Sequence, residues 1–333
     1  MNEKKDTMKE SNKPCNLSET QLYMQDKFEC YDELPNDIKY VIAGFLPTTD
    51  FINLSKTAKS NSPFFSTNQH LKQVYEVRKF LHHVVRGNHE AVVMMLENNP
   101  YLILIRGQVK DLSGREFTNI SGFEYCLWAL DKHMWKKMLD CVPKTEEGER
   151  IKAVLRTHYQ KIKEHGVTYT LHGVTKDHMP ETTSRTENHF DFNSTIIKKL
   201  QEYINTVNHK KWVQGVGGAQ RLLPVHVVRE YFSDTPFYPV PTFENQPKSS
   251  KEFENWLTDM KQSRLCGKTK LGVNSAMYRG SARCGGHASR GTRAKSQVDL
   301  NAIMELYKVR TNDFLALEED LKPCNLSENR YNH

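Results

Sequence analysis

From Leu34 to Leu96, apolar residues recur at helical intervals, and Pro or Gly punctuates the runs. Leu34, Ile38, Val41, Ile42, Phe45 and Leu46 form the first stripe. Pro35 suits the first turn of that helix, where its missing N–H costs nothing, and Pro47 ends it. Thr48-Thr49-Asp50 supplies a cap for a second helix carrying Phe51, Ile52, Leu54 and Ala58. Leu71 to Leu96 then reads as a helix pair turning at Gly87-Asn88, with Val92, Val93 and Leu96 as the inner stripe of its second helix. The pattern predicts a mainly α fold.

At 333 residues the chain can bury a proper core and has room for two or three domains. No apolar stretch approaches the roughly 20 residues that span a bilayer, and mean hydropathy is −0.68. Met1–Ser11 has no apolar core of the Sec type. The seven cysteines, Cys15, Cys30, Cys126, Cys141, Cys266, Cys284 and Cys324, are scattered, with no Cys-x-x-Cys pair; this favours reduced thiols in a cytosol. The net charge of +7 is local: Met260–Val298 holds nine Lys or Arg and no Asp or Glu.

Leu34-Pro35, an amphipathic helix ending Phe45-Leu46-Pro47, and Asp50-Phe51-Ile52-Asn53-Leu54-Ser55 together resemble the F-box over about 35 residues. Where that family often carries a Trp, this chain has Pro63-Phe64-Phe65, which implies a remodelled third helix. The resemblance implies that Leu34, Pro35, Ile38, Ile42, Phe45, Leu46, Phe51 and Leu54 contact the small linker subunit of SCF-type ubiquitin ligases, and through it the cullin. The alternative is a helical hairpin packed wholly inside the protein. A short helical unit buries little by itself, which favours an apolar face left for a partner.

Leu81–Leu96 resembles an ankyrin repeat, and a related unit follows at Tyr125–Asp131 and Met134–Leu139, with Met95-Leu96 aligned to Met138-Leu139. The offset of 43 exceeds the usual ankyrin period of roughly 33, and the turn-rich run Asp111–Arg115 accounts for the excess as a longer loop. Two units need capping by flanking helices. Trp128 and Trp135 are candidate substrate anchors; core packing is their other reading.

Further on, the pattern predicts a helix over 146–165 stopped by Gly166, a small hairpin around His172-Gly173, and a helix from Ser194 to His209. It continues with a short helix after Pro224, an extended path through Pro236, Pro239, Pro241 and Pro247, and a last helix from Leu300 to Asp320. The expected organisation is a flexible leader (1–30), an F-box-like unit (31–68), ankyrin-like repeats (69–145), a C-terminal helical and loop domain (146–320) with a basic segment (261–296), and a tail (321–333).

No catalytic, metal or cofactor residues are assigned. His165, His172, His178 and His189 match no zinc spacing and read as solvated loop residues. Cys284 and His287 in the basic segment would form a nucleophile and base only if that loop folded tightly. Cys266-Gly267-Lys268-Thr269 lacks the upstream Gly of a phosphate-binding loop. The basic segment has Tyr278 as its lone aromatic, so protein docking or a solvated surface is preferred over nucleic acid. Arg279 and Arg283 are candidate substrate contacts.

With Leu127–Trp135, Gly217–Arg221 and an acidic Leu317–Asp320, the chain resembles the F-box and ankyrin-type effectors that Legionella-like intracellular bacteria inject into host cells. That resemblance implies a type IV-secreted adaptor in the host cytoplasm that brings an unknown protein substrate to the ligase. The competing expectation is an enzyme with its site in 166–320, whose F-box recruits the ligase machinery.

Overall fold

The computed structural model describes residues 34–46, 50–51, 53–54, 69–174, 180–233, 235–247, 252–255, 260–263, 276–279, 287–288 and 292–322. The fold is mainly α, with ten helices and a small antiparallel sheet among the described residues. The chain divides into two compact units between Tyr75 and Glu76; the expected boundary at 145/146 falls inside the second.

In the first unit, α1 (Asn36–Phe45) begins directly after Pro35, whose carbonyl accepts from Lys39 N at 3.0 Å. Residues 50–51 and 53–54 are helical. Ala43, Phe51 and Leu71 form a small buried cluster, with Tyr40, Leu46, Leu54 and Val74 packed against it. Leu71 and Val74 lie in the first turns of α2 (Gln69–Val85).

The second unit opens with two helix pairs that repeat each other. From α2 the chain turns into α3 (His89–Asn98); from α4 (Gly122–Ala129) it turns into α5 (Lys132–Asp140). Gly87 and Leu130, 43 positions apart, both take the left-handed conformation (φ 65° and 59°). Asn88 and Asp131 cap the following helices with their side chains, accepting from Ala91 N and Met134 N. Asn88 N donates to His83 O and Asp131 N to Cys126 O, both at 2.9 Å. Glycine takes such a turn freely, whereas at the second turn a leucine does so and its side chain is fully buried. Pro100 and Pro143, which follow the two second helices, are also 43 positions apart.

Between the pairs, the expected longer loop is a β-hairpin. β1 (Arg106–Lys110) and β2 (Arg115–Ser121) pair antiparallel with a bulge between Gly107 and Val109. Asp111–Gly114 is its turn, and Arg115 N donates to Asp111 Oδ1 at 2.9 Å. β2 passes into α4 through a reciprocal capping box between Ser121 and Glu124.

After α6 (Glu146–His165), capped by Thr145 and stopped at Gly166, come β3 (Val167–Val174) and β4 (Pro180–Glu187). They pair from Val167↔Glu187 to Val174↔Pro180, and β3 joins β2 at Arg115↔Leu171, giving the order β1-β2-β3-β4. The expected hairpin is thus longer than its composition suggested: His172 and Gly173 lie within β3 opposite Thr182 and Glu181, not in the turn. Polar Thr and Ser dominate β4, so apolar alternation under-reports it.

A π-helical turn (Asn193–Ile197) leads into α7 (Lys198–Thr206), a second π segment (Lys211–Gly217) into α8 (Gly218–Gln220), and Pro224 into α9 (Val225–Tyr231). The ribbon strands β5 (Glu252–Asn255), β6 (Met260–Ser263), β7 (Met277–Tyr278) and β8 (His287–Ala288) precede α10 (Arg293–Asp320). No described helix is long and apolar enough to cross a membrane.

Arg115 ties these parts together. Its buried guanidinium lies 5.3, 5.3 and 5.2 Å from the ring centres of Trp128, Tyr169 and Phe190. It donates to Leu222 O at 2.8 Å and sits 3.6 Å from the Asp111 carboxylate. Burial pushes the Asp111 carboxyl up, and Arg115 opposes this. Removing one member of a buried pair strands the other and costs roughly 3–5 kcal/mol. Arg115→Met is therefore expected to lower unfolding stability by about that much in urea titrations, with partial recovery in Arg115→Met/Asp111→Asn. A loss below about 1 kcal/mol would show that the rings alone hold these segments.

Candidate functional site

In the first unit, α1 presents two faces. Tyr40 and Ala43 turn to the buried cluster. Ile38, Val41 and Phe45 lie on the opposite stripe, 43%, 55% and 81% exposed, with Ile42 half-buried beside them. Pro35 is exposed and Leu34 half-buried. This divides the expected partner contacts. Phe51 is buried and Leu46 and Leu54 pack on the cluster, so these three support α1 from behind. Val41, absent from the expected contact set, belongs to the outward stripe; its signal was the i, i+3, i+7 spacing with Ile38 and Phe45. Thr48, Thr49, Ile52 and the Pro63-Phe64-Phe65 segment lie outside the described residues.

The second unit contains a buried ionic centre where the turns of the helix pairs meet α9 and α10. Arg310, fully buried on α10, donates to His133 Nε2 at 2.8 Å and to Asp313 Oδ2 at 3.1 Å, and lies 3.7 Å from Glu230. Lys132 reaches the same Asp313 at 2.5 Å. His226 Nε2 donates to Ala129 O at 2.7 Å; its Nδ1 is buried with no hydrogen-bond partner among the described residues. Arg229 packs over the first turn, where a Cβ on Gly87 would stand 3.0 Å from its Cζ. His89 Nδ1 accepts from Gln246 at 2.7 Å.

Burial drives the electrostatics here. It lowers His133 to about 3, with Arg310 adding to the effect, and His226 to about 4 against the pull of Asp131. It raises Glu230 to about 7 even though Arg310 is near. Asp131 is held below its ordinary value: burial raises it, but His226, His89 and the bond from Met134 N prevail. The sequence signal for Arg310 was a charge on an apolar stripe, between Leu306 and Phe314 at i−4 and i+4; His226 has no such spacing.

The other candidates are placed as follows. Trp128 and Trp135 are buried, Trp128 among the rings of Phe117, Tyr125, Tyr169 and Phe190, so they are core residues and not surface anchors. Arg279 is buried too; its guanidinium donates to Thr235 O at 2.9 Å and to Ser233 O, and its backbone N donates to Asp299 Oδ1 at 2.8 Å. It pins the β7 segment rather than facing a substrate. Arg283, Cys266 and Cys284 lie outside the described residues, as does the side chain of His287. His165 is exposed, and His189 Nδ1 bonds to Phe190 O at 3.1 Å. Among the described residues no group of three or more His, Cys, Asp or Glu is arranged to hold a metal ion. In the acidic end of α10, Glu318 is taken up by Lys163 and Gln160, each at 2.9 Å.

The CBUA0006 C-terminal domain family matches residues 195–321, the span from the first π-helical turn to the end of α10. Over 261 residues the chain is 36% identical to the uncharacterized protein CBUA0006 of Coxiella burnetii (strain RSA 493 / Nine Mile phase I), covering 73% of this chain and 74% of that protein. The chain belongs to the CBUA0006 family. No solved structure matches it. The matched span contributes Glu230 and Arg310 to the ionic centre, while Asp131 and His133 come from the second helix pair that precedes it.

The centre gives opposing pH terms. Unfolded histidines near 6.5 take protons that folded His133 and His226 refuse, so this stability is present above about 6.5 and drains away as pH falls toward 3–4. Glu230 runs the other way: its contribution is full below about 4.5 and is lost as pH rises through about 7. His133→Gln keeps an acceptor for Arg310 and is expected to flatten the fall in urea midpoint between pH 6.5 and 4. Glu230→Gln is expected to gain most over the parent at pH 8. Parallel pH profiles for parent and both variants would remove these groups from the linkage.

Proposed function

We propose that this protein is a substrate-recruiting adaptor that docks through α1 onto the linker subunit of an SCF-type ubiquitin ligase. The carrying observation is the exposed Ile38/Val41/Phe45 stripe, backed by a cluster that contains Phe51 and supports the helix from behind. An apolar side chain as large as Phe45, left mostly in water on a short helix, is the pattern of a helix awaiting a groove. The F-box resemblance names the groove. The repeated helix pairs would then hold the protein substrate, and their resemblance to ankyrin units fits that role. Catalysis would belong to the ligase.

The effector reading goes with this proposal. Its support is a relative from Coxiella, an intracellular bacterium. Delivery would take a non-Sec route, and the working compartment would be the host cytoplasm.

The test uses the full-length protein, purified linker–cullin complex and a Phe45→Ala/Ile38→Ala variant. The parent is expected to co-elute with the complex on size exclusion. The variant is expected to lose at least tenfold in affinity while keeping the parent's melting temperature, because both side chains are already exposed. Leu34→Ala/Pro35→Ala should weaken the same interaction. A parent that does not bind the complex, or a variant that binds it equally, would refute the adaptor reading.

A further inference from the structure

Lysines gather on a helical hairpin inside the span matched to the CBUA0006 C-terminal domain. One arm is α7; the other runs from His209 through the π segment that begins at Lys211. Lys199 Nζ lies 2.9 Å from the Glu202 carboxylate, which Lys198 and Lys211 also stabilise in its charged form. A Cβ on Gly215 would stand 3.8 Å from Lys199 Cδ, so the two arms lie side by side. Lys198, Lys199 and Lys211 thus act on one carboxylate, and with the exposed Lys210 they leave an excess of positive charge.

The tip joining the arms is unusual in its backbone. Val207 takes φ 47° and ψ 49°, a left-handed conformation that a β-branched residue rarely adopts, and its side chain is 45% exposed. Asn208 Oδ1 accepts from Lys210 N at 2.8 Å and Lys211 N at 3.3 Å, fixing the direction in which both lysines leave the tip. Asn205 through Lys211 are all exposed. Glycine or asparagine would take this turn with less strain; valine there keeps an apolar group in water at the centre of a basic surface.

The geometry points to a membrane-docking surface: the α7 hairpin seats the protein on an anionic lipid bilayer, with the four lysines at the headgroups and Val207 entering the acyl boundary. Charge complementarity selects an anionic partner, and the apolar tip selects a bilayer among anionic partners. Single-stranded nucleic acid would call for exposed stacking rings, yet Tyr203 and Trp212 are buried with ring centres 4.8 Å apart. This surface is distinct from α1 and stands or falls apart from the adaptor reading.

Flotation of the full-length protein with vesicles tests it. Binding is expected to vesicles containing about 30% phosphatidylserine, to be absent with phosphatidylcholine alone, and to weaken as salt shortens the screening length. Lys210→Glu/Lys211→Glu should lower the partition coefficient at least tenfold. Val207→Asn, which suits the left-handed turn, should lower it about threefold without lowering the melting temperature. No flotation, equal flotation on neutral vesicles, or an unchanged Lys210/Lys211 double variant would overturn the proposal. So would a single-stranded oligonucleotide that binds the parent in a lysine-dependent way while vesicles do not.

Discussion

The second unit depends on one buried cation. Arg115 opens β2 and occupies a box of three rings drawn from α4, β3 and the segment after β4, while its N–H bonds reach the turn before α9. A guanidinium suits this position because it is weakly hydrated, planar and always charged: it offers stacking faces to the rings and in-plane donors to the carbonyl. An ammonium at the same place would offer a point charge and lose the stacking. Ser113 Oγ adds a bond to Leu223 O at 3.3 Å, so the hairpin turn is held to the C-terminal half by two neighbouring carbonyls.

Around that anchor the helix pairs reuse one design with different residues. At the first turn Gly87 supplies the left-handed residue and leaves room for Arg229; at the second, Leu130 accepts the strained backbone and fills the core with its side chain. The caps differ in the same sense. Asn88 is neutral and exposed, whereas Asp131 is buried, with its carboxyl held below the ordinary value and its Oδ1 accepting from Met134 N. The C-terminal half reaches both turns: Arg229 packs over the first, and His226 bonds Ala129 O beside the second.

The helices were largely legible in the sequence because their stops are chemical: α6 ends at Gly166, α9 starts after Pro224, and the repeat offset of 43 holds down to individual hydrogen bonds. The sheet was not. β1 and β2 alternate weakly, and Asp111–Arg115 reads as a polar turn although Asp111 and Arg115 are both buried. Arg115 is buried by Tyr169, Phe190 and the Leu222 carbonyl, up to 107 positions away, which no local window contains. For the candidate site, spacing grouped Ile38 and Phe45 on one apolar stripe, and the F-box resemblance named them as contacts. Spacing could not tell that Phe51 faces inward, because periodicity defines a stripe and says nothing of what covers it.

Perturbed ionisable groups commonly mark reaction centres, and His133, His226 and Glu230 are perturbed strongly enough to invite that inference. Their geometry argues for a structural role. A base must bring a lone pair to a substrate, but His133 Nε2 is occupied by Arg310, and His226 is buried with its Nε2–H spent on Ala129 O. Asp131 uses Oδ1 to start a helix. These shifts are what dense packing of charge between two halves of one unit produces. The apolar stripe of α1 and the lysine-rich α7 hairpin, by contrast, face solvent.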